Sequence, residues 1–296
     1  MTPDRHMLDN EAGDMASGWT AKAWRRVCDA PPTVKLSLLS ILLYVLVAVF
    51  APFIAPYGES QIIGKAYQPW SLEHLLGTDQ LGRDMLSRLV FAARNSMGIA
   101  FLATLLSFLV GGLIGIVSAL LGGWIDQLIS RTVDALMAIP SLIFALMALA
   151  LFGSSIPNLV LIIAAVDAPR VFRLTRSIAL GIVAQDFVEA ARLRGEGSAW
   201  IVLREILPHT LPPLLTEFGM RYCFVFLSIA ALSFLGVGLQ PPAADWGSMV
   251  RQTATLITYG NPTPLLPAIA IAGLTLSLSF IVDWLVQFTG GKRHDR

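Results

Sequence analysis

The sequence has little charge. Only 14% of its 296 residues are Asp, Glu, Lys or Arg, against about 25% in an ordinary soluble domain. So few charges do not cover a water-facing surface, whereas 55% hydrophobic residues and a mean hydropathy of +0.68 suit a chain embedded in lipid. Only two cysteines occur, Cys28 and Cys223, on different predicted segments, so no disulfide framework is indicated. A net charge of +1 offers no basic surface for nucleic acid. His6, His74, His209 and His294 are scattered, and no Cys-x-x-Cys or His-Glu-x-x-His spacing exists, so no metal site is expected. The Gly-x-x-x-x-Gly-Lys-Ser/Thr phosphate loop and the Gly-x-Ser-x-Gly elbow are missing. "GGKRHDR" lacks both the spacing and the hydroxyl of the former. The chain is therefore expected to be no enzyme and to hold no cofactor of its own. The polar residues ahead of the first apolar run argue against a cleaved signal peptide.

What is present is a series of long apolar runs. A spanning helix needs about 20 mostly apolar residues. Six candidates cover roughly 34–55, 96–121, 133–152, 157–179, 212–237 and 264–288. With the N-terminus inside, most of the 21 Lys and Arg residues fall on the cytoplasmic side, leaving Lys65, Arg83, Arg88, Arg94 and Arg251 outside. The positive-inside asymmetry therefore puts both termini in the cytoplasm. The chain divides into an N-terminal cytoplasmic segment (1–33), a first span with an outer loop (34–95), a core of five spans (96–288) and a cytoplasmic tail (289–296). In "GWTAKAWRRV", Trp19 and Trp24 beside Lys22, Arg25 and Arg26 suit an interfacial helix. In the outer segment 57–95, Met85, Leu86, Leu89 and Val90 recur at helical spacing and predict a short amphipathic helix at the outer interface. In the outer segment 239–263, Trp246 is expected to anchor at the membrane interface.

One polar block interrupts the apolar runs. Residues 186–194 read as a helix of about 14 Å, too short to span. Phe187, Ala190, Ala191 and Arg194 fall near one face, and Gly195 suits a left-handed end. Ser198 suits the cap of a second helix over 199–207, Pro208 is expected to stop it, and Pro212 and Pro213 fit the first turn of the next span. The result is a helix–turn–helix at the cytoplasmic end, either a bland hairpin or a docking element for a partner.

Glu189, Ala190, Ala191, Gly195, Leu207 and Pro208 resemble the EAA loop of importer-type ABC transporter permeases. Glu205 stands where that pattern carries a hydrophobic residue, with Ile206 beside it. "LLGTDQLGRDMLSRLVFAARNSM" and "LSFLGVGLQPPAADWGSMV" resemble the two outer signatures of the dipeptide/oligopeptide/nickel permease family, in its second, C-type subunit. Gly77, Thr78, Asp79, Gly82, Arg83 and Asp84 fit the first; Gln240, Pro241, Pro242, Trp246 and Gly247 fit the second. "DALMAIPSL", with Asp134 and Pro140, fits as well. The chain departs from the pattern at Ile229, where an acid is usual, and in "VDWLVQFTGG".

The resemblance implies an all-α membrane protein with six transmembrane helices of type I ABC importer architecture and a cytoplasmic coupling helix, in a bacterial inner membrane. It implies that Asp186, Phe187, Glu189, Ala190, Ala191, Arg192 and Gly195 meet an ATPase and that Leu207 and Pro208 shape the loop. It further implies a sister permease in a heterodimer, one or two ABC ATPase subunits that bind ATP and magnesium, and an extracytoplasmic substrate-binding protein. Small peptides, or a related ligand such as a nickel chelate, are the expected cargo.

A charge at the bilayer centre costs about 2.5–3.5 kcal/mol on insertion scales, so five residues need accounting. Glu217 and Arg221, four apart on a helix, are expected to pair. Asp134 and Asp283 are expected near helix ends. Asp167 either lines a cavity or, as favoured here, pairs with Arg170. The same acids leave open an alternative, a proton-coupled secondary transporter, against which no pair of repeats with broken helices is visible.

Overall fold

The computed structural model describes residues 30–290, with side chains through Gln287. The interfacial segment 18–27 and residues 291–296 lie outside the described residues. All regular elements described are helical, joined by two isolated β-bridges, Ile62 with Arg83 and Thr78 with Asp84.

Helix α1 (Pro32–Val49) starts on prolines that need no amide partner. It buries only Val34, Ser37 and Ala48 and leaves its leucines on the outside, as a lipid-facing helix does. A single turn, α2 (Ala51–Ile54), follows. Helix α3 (Met85–Leu121) has 37 residues, about 56 Å at the usual rise, so it overshoots the hydrocarbon core. The amphipathic helix expected in the outer segment is not a separate element: its residues are the first turns of α3. Their apolar side is buried against protein, since Met85, Val90, Ala92 and Ala93 are covered.

The expected third span is broken. Helix α4 (Gly123–Met137) and helix α5 (Ser141–Phe152) meet at 85°. Pro140 disfavours helical backbone at Ile139, so the chain turns there. Helix α6 (Ile156–Val183) is capped by Ser155, which accepts from the Asn158 amide at 3.4 Å. Gly111 and Gly115 let α3 lie directly on α6: a Cβ at Gly111 would meet the Ala168 carbonyl at 2.4 Å, and one at Gly115 the Phe172 carbonyl at 3.0 Å.

Helix α7 (Asp186–Leu193) is the short polar helix. Helix α8 (Ser198–Ile201) then runs through a π-turn (Val202–Ile206) into α9 (Leu207–Leu235). Three expectations are corrected here. Gly197, not Ser198, occupies the cap, with no side-chain bond. Pro208 does not stop the helix. The Leu207 amide donates to the Val202 carbonyl five residues back, and this wider turn absorbs the proline. Pro212 and Pro213 consequently lie inside α9 rather than at its start. Helix α10 (Trp246–Thr253), a 3-10 turn (Ala254–Tyr259) and α11 (Leu265–Gly290) complete the chain.

Among the described residues, four helical stretches are long and apolar enough to cross a membrane (Pro32–Val49, Met85–Leu121, Ser198–Leu235 and Leu265–Gln287), and the bent α4–α5 pair makes up to five. Helix α6, at 28 residues, has the length but carries Asp167, Arg170, Arg173 and Arg176. Two buried clusters mark opposite ends. Met85, Phe226, Leu232, Trp246 and Met249 belong to the larger one, on the α10 side, and Ile116, Ala119, Val188, Ala191 and Ile206 belong to the smaller one, beneath α7.

Candidate functional site

Helix α7 is two-faced. Val188 and Ala191 are fully buried against Ile116, Ala119, Ala179 and Ile206, so the helix is seated on the ends of α3 and α6. Asp186, Phe187, Glu189, Ala190, Arg192, Leu193 and Gly195 face outward. Ala191 thus leaves the outward face on which the helical spacing puts it and serves as the seat. Leu193, 84% exposed, takes a place on that face that no spacing argument selects. Phe187 stacks on His209 at 5.0 Å, which ties α7 to α9.

The end of α7 closes in a Schellman motif. The Glu196 amide donates to the Ala191 carbonyl at 3.2 Å and the Gly195 amide to Arg192 at 2.9 Å, with Gly195 at φ +82°. Arg194 lies over the Trp200 ring at 5.9 Å and within 4.0 Å of Glu196 and Glu205. Glu205 therefore answers a cation, while Ile206 takes the fully buried apolar position. The π-turn inserts the extra residue that moves Ile206 into it.

At the other end the two outer motifs form one plate. The Asp79 carboxylate accepts from the amides of Leu81 and Arg83 at 2.8 and 2.9 Å, from Arg83 Nε at 2.7 Å, and from Arg88 Nη1. Thr78 Oγ1 accepts from the Gln68 amide and donates to the Lys65 carbonyl. Asp84 caps α3, accepting from the Ser87 amide and hydroxyl at 2.7 Å each. A Cβ on Gly77 or Gly82, both at positive φ, would strike a backbone carbonyl at 2.4 and 2.1 Å. Arg88 Nη2 reaches Gln252 of α10 at 3.4 Å, joining the first motif to the second.

Trp246 is not an interface anchor. It is 2% exposed, lies edge-on to Tyr44 and Phe226, and donates its indole N–H to the Leu89 carbonyl at 3.1 Å. With that donor satisfied inside, the ring gains nothing from headgroups. Gly247 lets α10 approach α9: a Cβ there would be 2.3 Å from the Ala230 carbonyl. Asp245 caps α10 through the Ser248 amide at 3.0 Å, and burial pushes its carboxyl above the usual range against that bond. Glu59, which no motif marks, accepts from Asn95 at 2.7 Å and from the Ala244 amide, clasping both loops. Of the outer motif residues only Gln240, Pro241 and Pro242 are exposed; the others hold the plate together.

Between the two ends lies a charged group. Arg221 Nε donates to Glu217 at 2.8 Å, as the spacing predicts. Asp167 lies 3.7 Å from Arg170 and also 3.7 Å from Arg221 of α9, a partner the sequence spacing does not show. It lines a cavity as well, so both readings of Asp167 hold. Asp126 binds Arg176 through two bonds of 2.5 Å and accepts from Ser118, fastening α4 to α6 and α3. Asp134 lies exposed in the last turn of α4. Asp283 lies exposed in α11, about two turns before its end. Among the described residues no group of three or more His, Cys, Asp or Glu could hold a metal ion.

A two-faced helix at one end of a helical bundle, a hydrogen-bonded plate at the other and a charged cavity between them define a membrane permease component. Residues 111–292 match the family described as binding-protein-dependent transport system inner membrane component, and the chain belongs to it. The dipeptide transport system permease protein DppC of Alkalihalophilus pseudofirmus is 33% identical over 88% of this chain and 88% of its own. The glutathione transport system permease protein GsiD of Escherichia coli O6:K15:H31 is 34% identical, over 88% and 87%. Among solved structures, an inward-facing MetNI methionine ABC transporter shares the fold, with a TM-score of 0.57 at 18% identity, over 69% of this chain and 97% of that one. The chain is thus a multi-pass inner-membrane permease of the C-type within the peptide ABC importer family, and the secondary-carrier reading falls.

Proposed function

We propose that this permease forms half of a translocation pore for small peptides, paired with a sister permease, and that separate ATPase subunits grip α7. The α7 end faces the cytoplasm, with both termini on that side, and the α10 end receives an extracytoplasmic binding protein. One observation carries the reading: Val188 and Ala191 are sunk into the bundle while Glu189, Ala190 and Leu193 stand free on the opposite face. A helix seated in this way moves as one piece with α3, α6 and α9. A partner that displaces it therefore displaces the spans.

ATP and magnesium belong to the partner in this scheme. Closure of the ATPases rocks the two permease halves apart on the outside, and hydrolysis resets them. The peptide cargo is supported by the relatives, whose names specify dipeptide and glutathione transport.

The test is reconstitution of the complete importer in liposomes with Glu189→Lys in this chain. The variant is expected to insert and fold, since Glu189 is exposed, but to take up far less labelled dipeptide per ATP hydrolysed. Uptake equal to that of the unaltered protein would show that α7 is not the transmission element.

A further inference from the structure

The cavity between α5, α6 and α9 is about 380 Å³, lined among others by Ser141, Asp167, Arg170, Arg221, Phe224 and Ser228. That is within the range of about 300–1,000 Å³ typical of small-ligand pockets. Resting on the peptide-permease reading, we propose that this cavity is a transit site for the terminal carboxylate of the peptide, with Arg170 and Arg221 as its receptors.

The arginines are not saturated. No side-chain hydrogen bond of Arg170 is found among the described residues; its ion-pair partner is Asp167 at 3.7 Å, beyond hydrogen-bond length. Arg221 spends Nε on Glu217 and lies over the Phe224 ring at 5.6 Å, which leaves its Nη1 pointing at Asp167, again at 3.7 Å. Each guanidinium carries five donors in a planar fork that matches a carboxylate. Two forks therefore converge on the cavity with most of their donors unused. Asp167 is itself buried and accepts only a long 3.3 Å bond from Ser107.

Charge balance selects the ligand. The lining carries two guanidiniums against one carboxylate, Asp167, while Glu217 lies outside it and is spent on Arg221 Nε. A carboxylate therefore meets an excess of positive charge, and a zwitterionic peptide can in addition set its ammonium against Asp167. A cationic ligand finds no such match. Asp167 is the counter-ion that both forks share. Its loose geometry makes it replaceable by a carboxylate that fits better.

The test uses the complete importer in liposomes and measures alanyl-alanine accumulated per ATP hydrolysed. Arg170→Gln removes one fork. Ser228→Phe fills the cavity and leaves the ion network intact, so it serves even if the charge variant folds poorly. Both are expected to lower the ratio about tenfold, the size of one charge-assisted hydrogen bond. Arg170→Lys, which keeps charge without the fork, should fall between, and Arg173→Gln, outside the cavity, should match the unaltered protein. An undiminished ratio in Arg170→Gln and Ser228→Phe would overturn the transit site and leave the peptide permease standing. Failure of the unaltered importer to accumulate the dipeptide would overturn the peptide reading and the site together.

Discussion

Gly195 ends α7 at φ +82°, and a Cβ built there meets nothing within 4 Å. The demand for glycine is therefore one of backbone conformation, not of space. Asn, which tolerates the left-handed region, should substitute with little effect on dipeptide uptake by the reconstituted importer. Gly195→Val should strain the turn by about 1–2 kcal/mol and loosen the seat of α7, with a measurable loss of uptake. Equal uptake by the two variants would remove the conformational argument. Asp79 is fixed by the opposite circumstance, a crowd of donors. Its carboxylate answers two amides and two buried arginines. Asp79→Ala leaves Arg83 and Arg88 buried without that counter-charge, a loss of about 3–5 kcal/mol for a broken buried pair. The midpoint of thermal unfolding of the purified permease in detergent should drop by several degrees, and a midpoint unchanged from the parent would show that Asp79 is dispensable to the plate.

Among the elements, α3 offers an internal contrast. At Gly111 a Cβ would press on the Ala168 carbonyl at 2.4 Å, whereas at Gly98 it meets nothing within 4 Å. Gly111→Ala should separate α3 from α6 and destabilise by about 1–3 kcal/mol, as overpacking does, while Gly98→Ala should be tolerated; thermal unfolding of the two variants side by side decides. Helix α7 offers a second contrast. Ala190→Leu adds bulk on the outward face and should spare the fold but impair uptake. Ala191→Leu, one residue on, adds bulk in the buried seat and should lower the yield of folded permease itself. If both variants express alike and transport alike, the two-faced reading of α7 is wrong. How much of this was legible beforehand follows from range. The start of α7, its glycine end and the Glu217–Arg221 pair are local, set by spacing and cap chemistry, and the sequence displays them. The π-turn at Val202–Ile206, the burial of Trp246 and the reach of Arg221 to Asp167 depend on which helices become neighbours, which spacing within one segment does not encode. Pro208 shows the limit well: a proline reads as a stop, yet a single wider turn carries the helix past it. Pro140, inside the span expected over 133–152, is the converse: there the proline does coincide with an 85° break.

At the scale of the whole molecule, the chain has two chemically different ends. One presents a short polar helix with Leu193 projecting from it, and the other a loop plate whose motif residues are mostly spent on internal bonds. A docking partner at the plate must therefore engage what the motifs leave outside, such as Pro241 and Pro242 on one loop and Leu72, 98% exposed, on the other. The proposed orientation, with the α7 end in the cytoplasm, rests on the positive-inside asymmetry and can be tested directly. In a background with Cys28 and Cys223 replaced by serine, Leu72→Cys should react with a membrane-impermeant maleimide added to intact spheroplasts. Leu193→Cys should react only after the membrane is permeabilised, and its labelling should fall once the ATPase subunits are co-expressed, because they cover that face. Labelling of Leu193→Cys in sealed spheroplasts would invert the topology. Labelling after permeabilisation that is indifferent to the ATPases would leave the topology intact but detach α7 from its proposed partner, since a lever in mechanical contact with a motor cannot remain open to a reagent on its whole outward side.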